Sequence, residues 1–191
     1  MKIHSSHNKT QEKLFISLCH LLRTQDISDI SVRTLIKESN LSRSTFYTYY
    51  SDKFELLEEL ENSVIHQLEV INYHLPHFPL QSFSDTEIAP FYYETYLFIK
   101  ENEDIFKALL GPYKTDTFIY KWKKHIRHYF TQVMIQNNIN KTYHIFIAES
   151  IASTLISLAV LWLFELPETS PESLAKIASR ITVSSMSSFL N

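Results

Sequence analysis

With a single glycine and six prolines in 191 residues, this sequence lacks the material of tight turns. Sheets built from hairpins need turns with positive φ, which glycine supplies at least steric cost, so a β-rich fold is excluded and an all-α fold is expected. A lone cysteine, Cys19, excludes an intrachain disulfide and fits a reducing compartment. Also missing are a glycine-rich phosphate loop, a nucleophile elbow and an HExxH motif, so nothing indicates an enzyme or a bound cofactor. The N-terminus, MKIHSSHNKTQEK, is polar where a secretory leader would be apolar, and a cytoplasmic protein is expected.

Hydrophobic residues make up 45% of the chain, ample for one large domain or two small ones. The net charge of −3 is unevenly divided. Residues 1–53 hold 8 Lys+Arg against 5 Asp+Glu, whereas residues 54–191 hold 10 against 16. A modestly basic head on an acidic body suits a protein that presents one end to nucleic acid.

That head is organised around Ser31–Lys53, SVRTLIKESNLSRSTFYTYYSDK. Ser31 and Ser42 can each accept a hydrogen bond from the free amides of a first helical turn. Val32, Leu35 and Ile36 form one apolar face, and Phe46 and Tyr50 another. Between them Asn40 can take the left-handed conformation that closes a helix, and Leu41 can plug the angle. The spacing predicts a helix-turn-helix over 31–50. Its second helix turns outward Arg43, Ser44, Thr45, Tyr47, Thr48 and Tyr49, flanked by Arg33 and Lys53. These side chains donate to phosphates and base edges, and no acidic residue stands among them.

An amphipathic helix over 9–25 precedes this motif, with Leu14, Phe15, Leu18, Cys19 and Leu22 on one face and Cys19 read as packing. After it, Asp52 and Glu55 predict a capping box for a long helix over 52–75, striped by Leu57, Leu60, Val64, Leu68, Ile71 and Leu75. Its outer face is read as acidic: Glu55, Glu58, Glu59 and Glu61. A proline-bearing loop is expected over 76–84, then a helix from Ser84 to Lys100 with Pro90 near its start. A short helix ends at Gly111 as C-cap, and further helices run over 115–137, 142–166 and 170–189.

The stretch 145–164 is long and apolar enough to span a bilayer, but it carries Glu149 and several hydroxyls and lacks basic flanks. A helix buried on nearly all sides, completed by a second copy of the chain, is the expected reading. Of the nine histidines, His125 with His128 and His74 with His77 are close in sequence. Without a carboxylate or cysteine at ligand spacing they read as surface residues, and no metal is expected. Phe91, Tyr92, Tyr93, Tyr96 and Phe98, with Phe118, Tyr120, Trp122, Tyr129 and Phe130, supply a core or line a ligand cavity. No ligand-binding residue is singled out.

Ser31-Val32-Arg33, Leu41 through Tyr47, Tyr49-Tyr50, Asp52-Lys53 and Leu56-Leu57 resemble the TetR/AcrR family of transcriptional regulators over about residues 10–60. The chain departs from that family at Asn40 and Ser44, where glycine is common. YLFIKENEDIFKALLG followed by Phe118 is similar to the C-terminal domain of a subset typified by dihydroxyacetone-kinase regulators. The resemblance implies a three-helix DNA-binding domain over 8–68 and a helical regulatory and dimerisation domain over 69–191, with about nine helices in all. It further implies a homodimer paired through its last two helices, binding a palindromic DNA operator and released by a small-molecule effector. Ser31, Tyr47, Tyr49 and Lys53 would contact phosphates, with Ser42 as cap; Arg33, Arg43, Ser44, Thr45 and Thr48 would lie nearer to bases. The alternative it carries is an interaction protein or coactivator that works mainly through a protein partner.

Overall fold

The computed structural model describes residues 8–72 and 84–187. Among them are nine helices and no strand: α1 (Lys9–Leu22), α2 (Val32–Ser39), α3 (Arg43–Tyr49), α4 (Lys53–Asn72), α5 (Asp85–Glu101), α6 (Glu103–Leu110), α7 (Asp116–Gln136), α8 (Lys141–Phe164) and α9 (Pro171–Ser187). The all-α expectation holds. His74, Leu75, His77 and the loop expected over 76–84, apart from Ser84, lie outside the described residues.

Capping side chains set most of the helix starts. Asn8 accepts the Thr10 and Gln11 amides at 3.0 Å each, while Gln11 reaches back to the Asn8 N–H. Ser84 and Glu87 close the same reciprocal box on α5. Asp52 caps α4 through the Phe54 and Glu55 amides. The expected box is altered there, because Glu55 turns back to the Ser51 N–H and hydroxyl, at 2.6 and 2.7 Å, instead of to Asp52. Gly111 ends α6 in an extended conformation, φ −73° and ψ −166°, so it does not use its left-handed freedom. Pro112 follows it, and the residue before a proline is driven out of the helical region. The two positive-φ residues described are both asparagines, Asn40 and Asn138.

The chain forms two compact units. One comprises the residues up to Gln67 together with Glu101–Phe118. There α1 lies against α2 and α6, so α6, distant in sequence, completes the packing around the N-terminal helices. Leu14, Phe15, Leu18, Ile30, Leu35, Phe46, Leu56, Leu60, Phe106 and Phe118 are fully buried in it. Polar ties stitch the same unit: the Gln11 side-chain amide donates to Glu59 at 3.1 Å, and Arg23 pairs with Asp104 at 3.0 Å. That exposed pair is worth about 0–1 kcal/mol.

Glu61 corrects the sequence reading. It was expected on an acidic outer face, yet it is 1% exposed. Its Oε1 accepts the Thr115 hydroxyl at 2.6 Å and the Thr117 hydroxyl at 2.7 Å. The two threonines flank the first residue of α7, so a buried carboxylate of α4 holds that helix start. A buried charge is tolerable only when hydrogen-bonded in this way.

The other unit comprises Leu68–Lys100 and the residues from Ile119 onward. Here α8 packs along α9. The Trp162 indole N–H donates to the Thr169 carbonyl at 2.8 Å, and Tyr96 meets the Trp162 ring edge-on. The buried Tyr92 hydroxyl is 2.7 Å from Thr182 Oγ1. Pro90 lies within α5, which runs on through it. The expected aromatic cluster is divided: Phe118 packs against Phe106 in the core of the first unit, and Tyr120 is exposed. α8 is long and apolar enough to cross a membrane by length and composition, a property shared by core helices of soluble proteins. Ile147, Ile151, Leu155, Ala159 and Leu163 are buried, while Phe146, Leu161 and Phe164 stay exposed, so a single chain covers one face of α8 and not nearly all sides.

Candidate nucleic-acid interface

The turn between α2 and α3 is a Schellman closure. Asn40 adopts φ 52° and ψ 44°; its N–H donates to the Lys37 carbonyl at 3.3 Å, and the Leu41 N–H reaches the Ile36 carbonyl at 3.0 Å. Short polar side chains visit this left-handed region more readily than other non-glycine residues, which is why asparagine serves here. Ser31 caps α2 through the Thr34 N–H, and Ser42 caps α3 through the Thr45 N–H, each at 3.0 Å. Phe46 and Tyr50 bury the inner side of α3, their ring centroids 6.0 Å apart. Burial pushes the Tyr50 phenol above its ordinary pKa.

With the inner side anchored, the remaining residues of α3 face outward. Arg43, Ser44, Tyr47, Thr48 and Tyr49 are exposed, the two tyrosines at 45% and 38%, and Thr45 is half-buried. The Arg43 guanidinium carbon stands 5.5 Å from the centre of the Tyr47 ring, an arrangement that restrains both side chains. Several hydroxyls are partly engaged. Ser42 Oγ contacts Ser44 Oγ at 2.8 Å and Thr45 Oγ1 at 2.7 Å, and Thr48 donates to the Ser44 carbonyl at 3.0 Å. The guanidinium and the two phenols therefore carry the reach of this face.

Arg33 is exposed on α2, and the Ser31 hydroxyl is 2.8 Å from that of Thr34. Lys53 is half-buried: its Nζ donates to the Ser28 carbonyl at 2.6 Å and lies 5.1 Å from the Phe54 ring centre. One of its three N–H bonds is thus directed inward and two are left to turn outward. Ser28 is itself held by Asp26, whose carboxyl lies below the usual range because the Ser28 backbone and hydroxyl both bond it. α3 carries no acidic residue, and the one carboxylate of α2, Glu38, is paired with His20 at 2.7 Å. The face can donate hydrogen bonds to anionic oxygens, with no carboxylate on its own helix to repel them.

The other candidate groups are placed differently. Cys19 is buried and its thiol is pushed up to about 12, chiefly by burial, so it is no nucleophile. His125 corrects the surface reading. Its side chain is 16% exposed and 3.8 Å from Glu69, and burial lowers its pKa against the pull of that carboxylate. No group of three or more metal-ligating side chains occurs among the described residues.

The family of TetR C-terminal regions, described as a transcriptional regulator C-terminal region, matches residues 86–184, more than half of the chain. The chain belongs to the TetR family of transcriptional regulators. No curated protein matches it. Among solved structures, this TetR-family chain resembles a TetR-family transcriptional regulator from Syntrophomonas wolfei, with a TM-score of 0.69 and 18% identity over 91% of this chain and 93% of that one. A TetR transcriptional regulator from Streptococcus agalactiae gives 0.63 and 21% over 91% and 93%. The dihydroxyacetone kinase operon activator DhaS gives 0.60 and 15% over 95% and 98%. At these identities the likeness is one of fold.

Sequence reasoning found the helix-turn-helix but missed two residues that support it. Gln11 joins α1 to Glu59 and, at 3.4 Å, to the Tyr50 hydroxyl, and Glu61 holds Thr115 and Thr117. For Glu61 a signal was present. Thr115-Asp116-Thr117 reads as a helix start that a buried carboxylate can satisfy.

Proposed function

We propose that this TetR-family regulator is a cytoplasmic repressor that binds a palindromic operator as a homodimer and is released by a small-molecule effector. The observation that carries the reading is the outward face of α3, rich in donors and free of carboxylates, in a chain of net charge −3. Residues 8–68 then serve as the DNA-binding domain and 69–191 as the regulatory and dimerisation domain. Ser31, Tyr47, Tyr49 and Lys53 contact phosphates, Ser42 sets the start of α3, and Arg33, Arg43, Ser44, Thr45 and Thr48 lie nearer to base edges. An arginine bidentate to guanine discriminates by about 1–3 kcal/mol. Pairing through α8 and α9 is supported by the apolar side chains they leave exposed, Leu161, Phe164 and Ile177.

An effector acts only if it binds one conformational state more tightly than the other, so its site must change with the state that holds DNA. Selection of bound sequences from random duplexes with the full-length dimer tests the proposal. The expected outcome is an inverted repeat whose half-sites are about 10–10.5 base pairs, or a multiple, apart. An enriched single half-site, or no enrichment, overturns it. DhaS is an operon activator, so the same fold is compatible with activation, and a reporter assay decides the sign. The alternative is action mainly through a protein partner.

A further inference from the structure

The longest stretch of the acidic body without a carboxylate covers most of α7 and the start of α8. From Thr117 to Ala148 there are five Lys or Arg residues and no Asp or Glu, whereas the rest of 54–191 holds 5 Lys or Arg and 16 Asp or Glu. The stretch comprises nearly all of α7, the α7–α8 turn and the start of α8, all of it from Ile119 onward in one compact unit. Two of its cations are already neutralised by the single carboxylate of α8. Lys123 pairs with Glu149 at 2.8 Å and Arg127 at 3.2 Å, which lowers the Glu149 pKa through those contacts and ties α7 to α8. Lys124, His128 and Lys141 are exposed and make no hydrogen bond or ion pair among the described residues.

An open groove of about 740 Å³ is lined by Thr131, Ile135, Ile139, Lys141, Thr142 and Ile145, and His128 and Lys124 lie about one and two helical turns back along α7 from Thr131. Ile135 is 52% and Ile145 70% exposed, and the neighbouring Phe146 is 72% exposed. Local hydrogen bonds shape its walls. Asn138, at φ 56°, closes α7 as the Ile139 N–H reaches the Met134 carbonyl at 3.1 Å, and the buried His144 imidazole is 2.7 Å from the Ile139 carbonyl. Lys141 stands in the first turn of α8, where a helix disfavours positive charge, and no acidic residue offsets it there. A cation kept against the helix dipole, next to exposed isoleucines, gains from an anionic partner.

We propose that the α7–α8 corner docks an acidic, amphipathic segment of a partner protein, whose apolar side chains fill the isoleucine groove while its carboxylates meet Lys124, Lys141 and, when protonated, His128. Charge complementarity selects this occupant over two others. A second copy of the chain, pairing through this patch about a two-fold axis, would set cation against cation, because such an interface brings the same patch to both sides. Nucleic acid would use the two lysines but leave the apolar groove empty, since phosphates need donors and isoleucine offers none. A helix with apolar side chains at i, i+3, i+4 and i+7 and glutamates elsewhere uses both features.

The test uses the full-length protein and a fluorescein-labelled peptide of about 15 residues with leucine and phenylalanine at those positions and glutamate between them. Two control peptides replace every Glu by Gln, or every Leu and Phe by Ser. Anisotropy at about 0.1 M salt is expected to show the acidic amphipathic peptide binding at least about tenfold tighter than either control. Lys124→Glu with Lys141→Glu, and separately Ile145→Ser, are each expected to weaken it about tenfold or more with unchanged helical circular dichroism. All three positions are exposed, so folding is not at stake. The Tyr47→Ala/Lys53→Ala variant is expected to keep peptide binding whether or not it binds DNA. Equal binding of the three peptides, no binding, or indifference to the substitutions overturns the proposal. So does a random-sequence duplex that displaces the peptide and is itself weakened by the lysine substitutions, which would make this a nucleic-acid surface. Conversion of a dimer to a monomer by Ile145→Ser, without any peptide effect, would make it a contact between copies.

Discussion

The α2–α3 and α7–α8 corners are built on one backbone device and expose opposite chemistries. In each, a helix ends on an asparagine at positive φ, the next residue's N–H reaches back five residues to a carbonyl, and a new helix begins at once. Leu41 follows Asn40 and packs half-buried; Ile139 follows Asn138 and does the same. Beyond the turn, α3 presents a guanidinium and two phenols, whereas α8 presents isoleucine and phenylalanine beside lysine. Turn geometry is therefore indifferent to function. The side chains on the following helix decide whether a corner suits phosphates or the apolar face of a protein.

The comparison breaks most visibly on DNA. Tyr47→Ala with Lys53→Ala is expected to abolish binding to the selected operator, measured by mobility shift at moderate salt, while the dimer stays folded. Retained binding would remove these residues from the interface. Lys53→Ala alone should lower the slope of log affinity against log salt by about 2 per dimer, because one phosphate contact is lost on each protomer. Neither change should affect the α7–α8 corner.

Next in size is Glu61→Ala, which strands the buried Thr115 hydroxyl, leaves the exposed Thr117 hydroxyl to water and is expected to cost about 1–3 kcal/mol in urea unfolding. Thr115→Val together with Thr117→Val removes two donors from the buried carboxylate instead and should cost about as much. Little loss in both would show that the clamp is incidental.

The shared turn is sharpened by Asn40→Ala and Asn138→Ala, each expected to destabilise by roughly 1–2 kcal/mol because alanine tolerates positive φ poorly. The corresponding glycine substitutions should be close to neutral. Asn40→Ala should impair DNA binding and Asn138→Ala the peptide groove, each sparing the other. Crossed effects would mean that the corners are coupled.

The smallest effect concerns pH. Burial disfavours the charged form of His125, so its folded pKa lies below the unfolded value of about 6.5. Below that pH the unfolded chain binds a proton that the folded chain resists, so this contribution to stability falls as pH drops through the window beneath 6.5. Unfolding free energies from pH 7.5 to 5.5 should show a shallower decline in His125→Phe than in the parent. An unchanged slope would assign it to other groups.

Much was legible locally. Ser31, Ser42, Ser84 and Ser170 announced helix starts because capping depends on side chains within three residues. Asn40 announced its turn for the same reason. The donors of α3 were legible because Phe46 and Tyr50, four residues apart, fix which side of the helix is buried. The errors arose where distant segments meet. Glu61 looked like one more acid on a solvent face until Thr115 and Thr117, more than fifty residues away, enclosed it. His125 looked exposed until the surrounding helices covered it. Gln11 carried no sign of its bond to Glu59.

The sequence by itself determined the helices, their caps, the left-handed turn at Asn40 and the placement of basic charge. All of these follow from interactions spanning a few residues. Only the tertiary structure decided that α6 packs on α1, that Glu61 is a buried clamp, and that the isoleucines of the α7–α8 corner line a groove with Lys141. Burial is a property of what lies across from a residue, and a one-dimensional pattern names the side of a helix but not its neighbour.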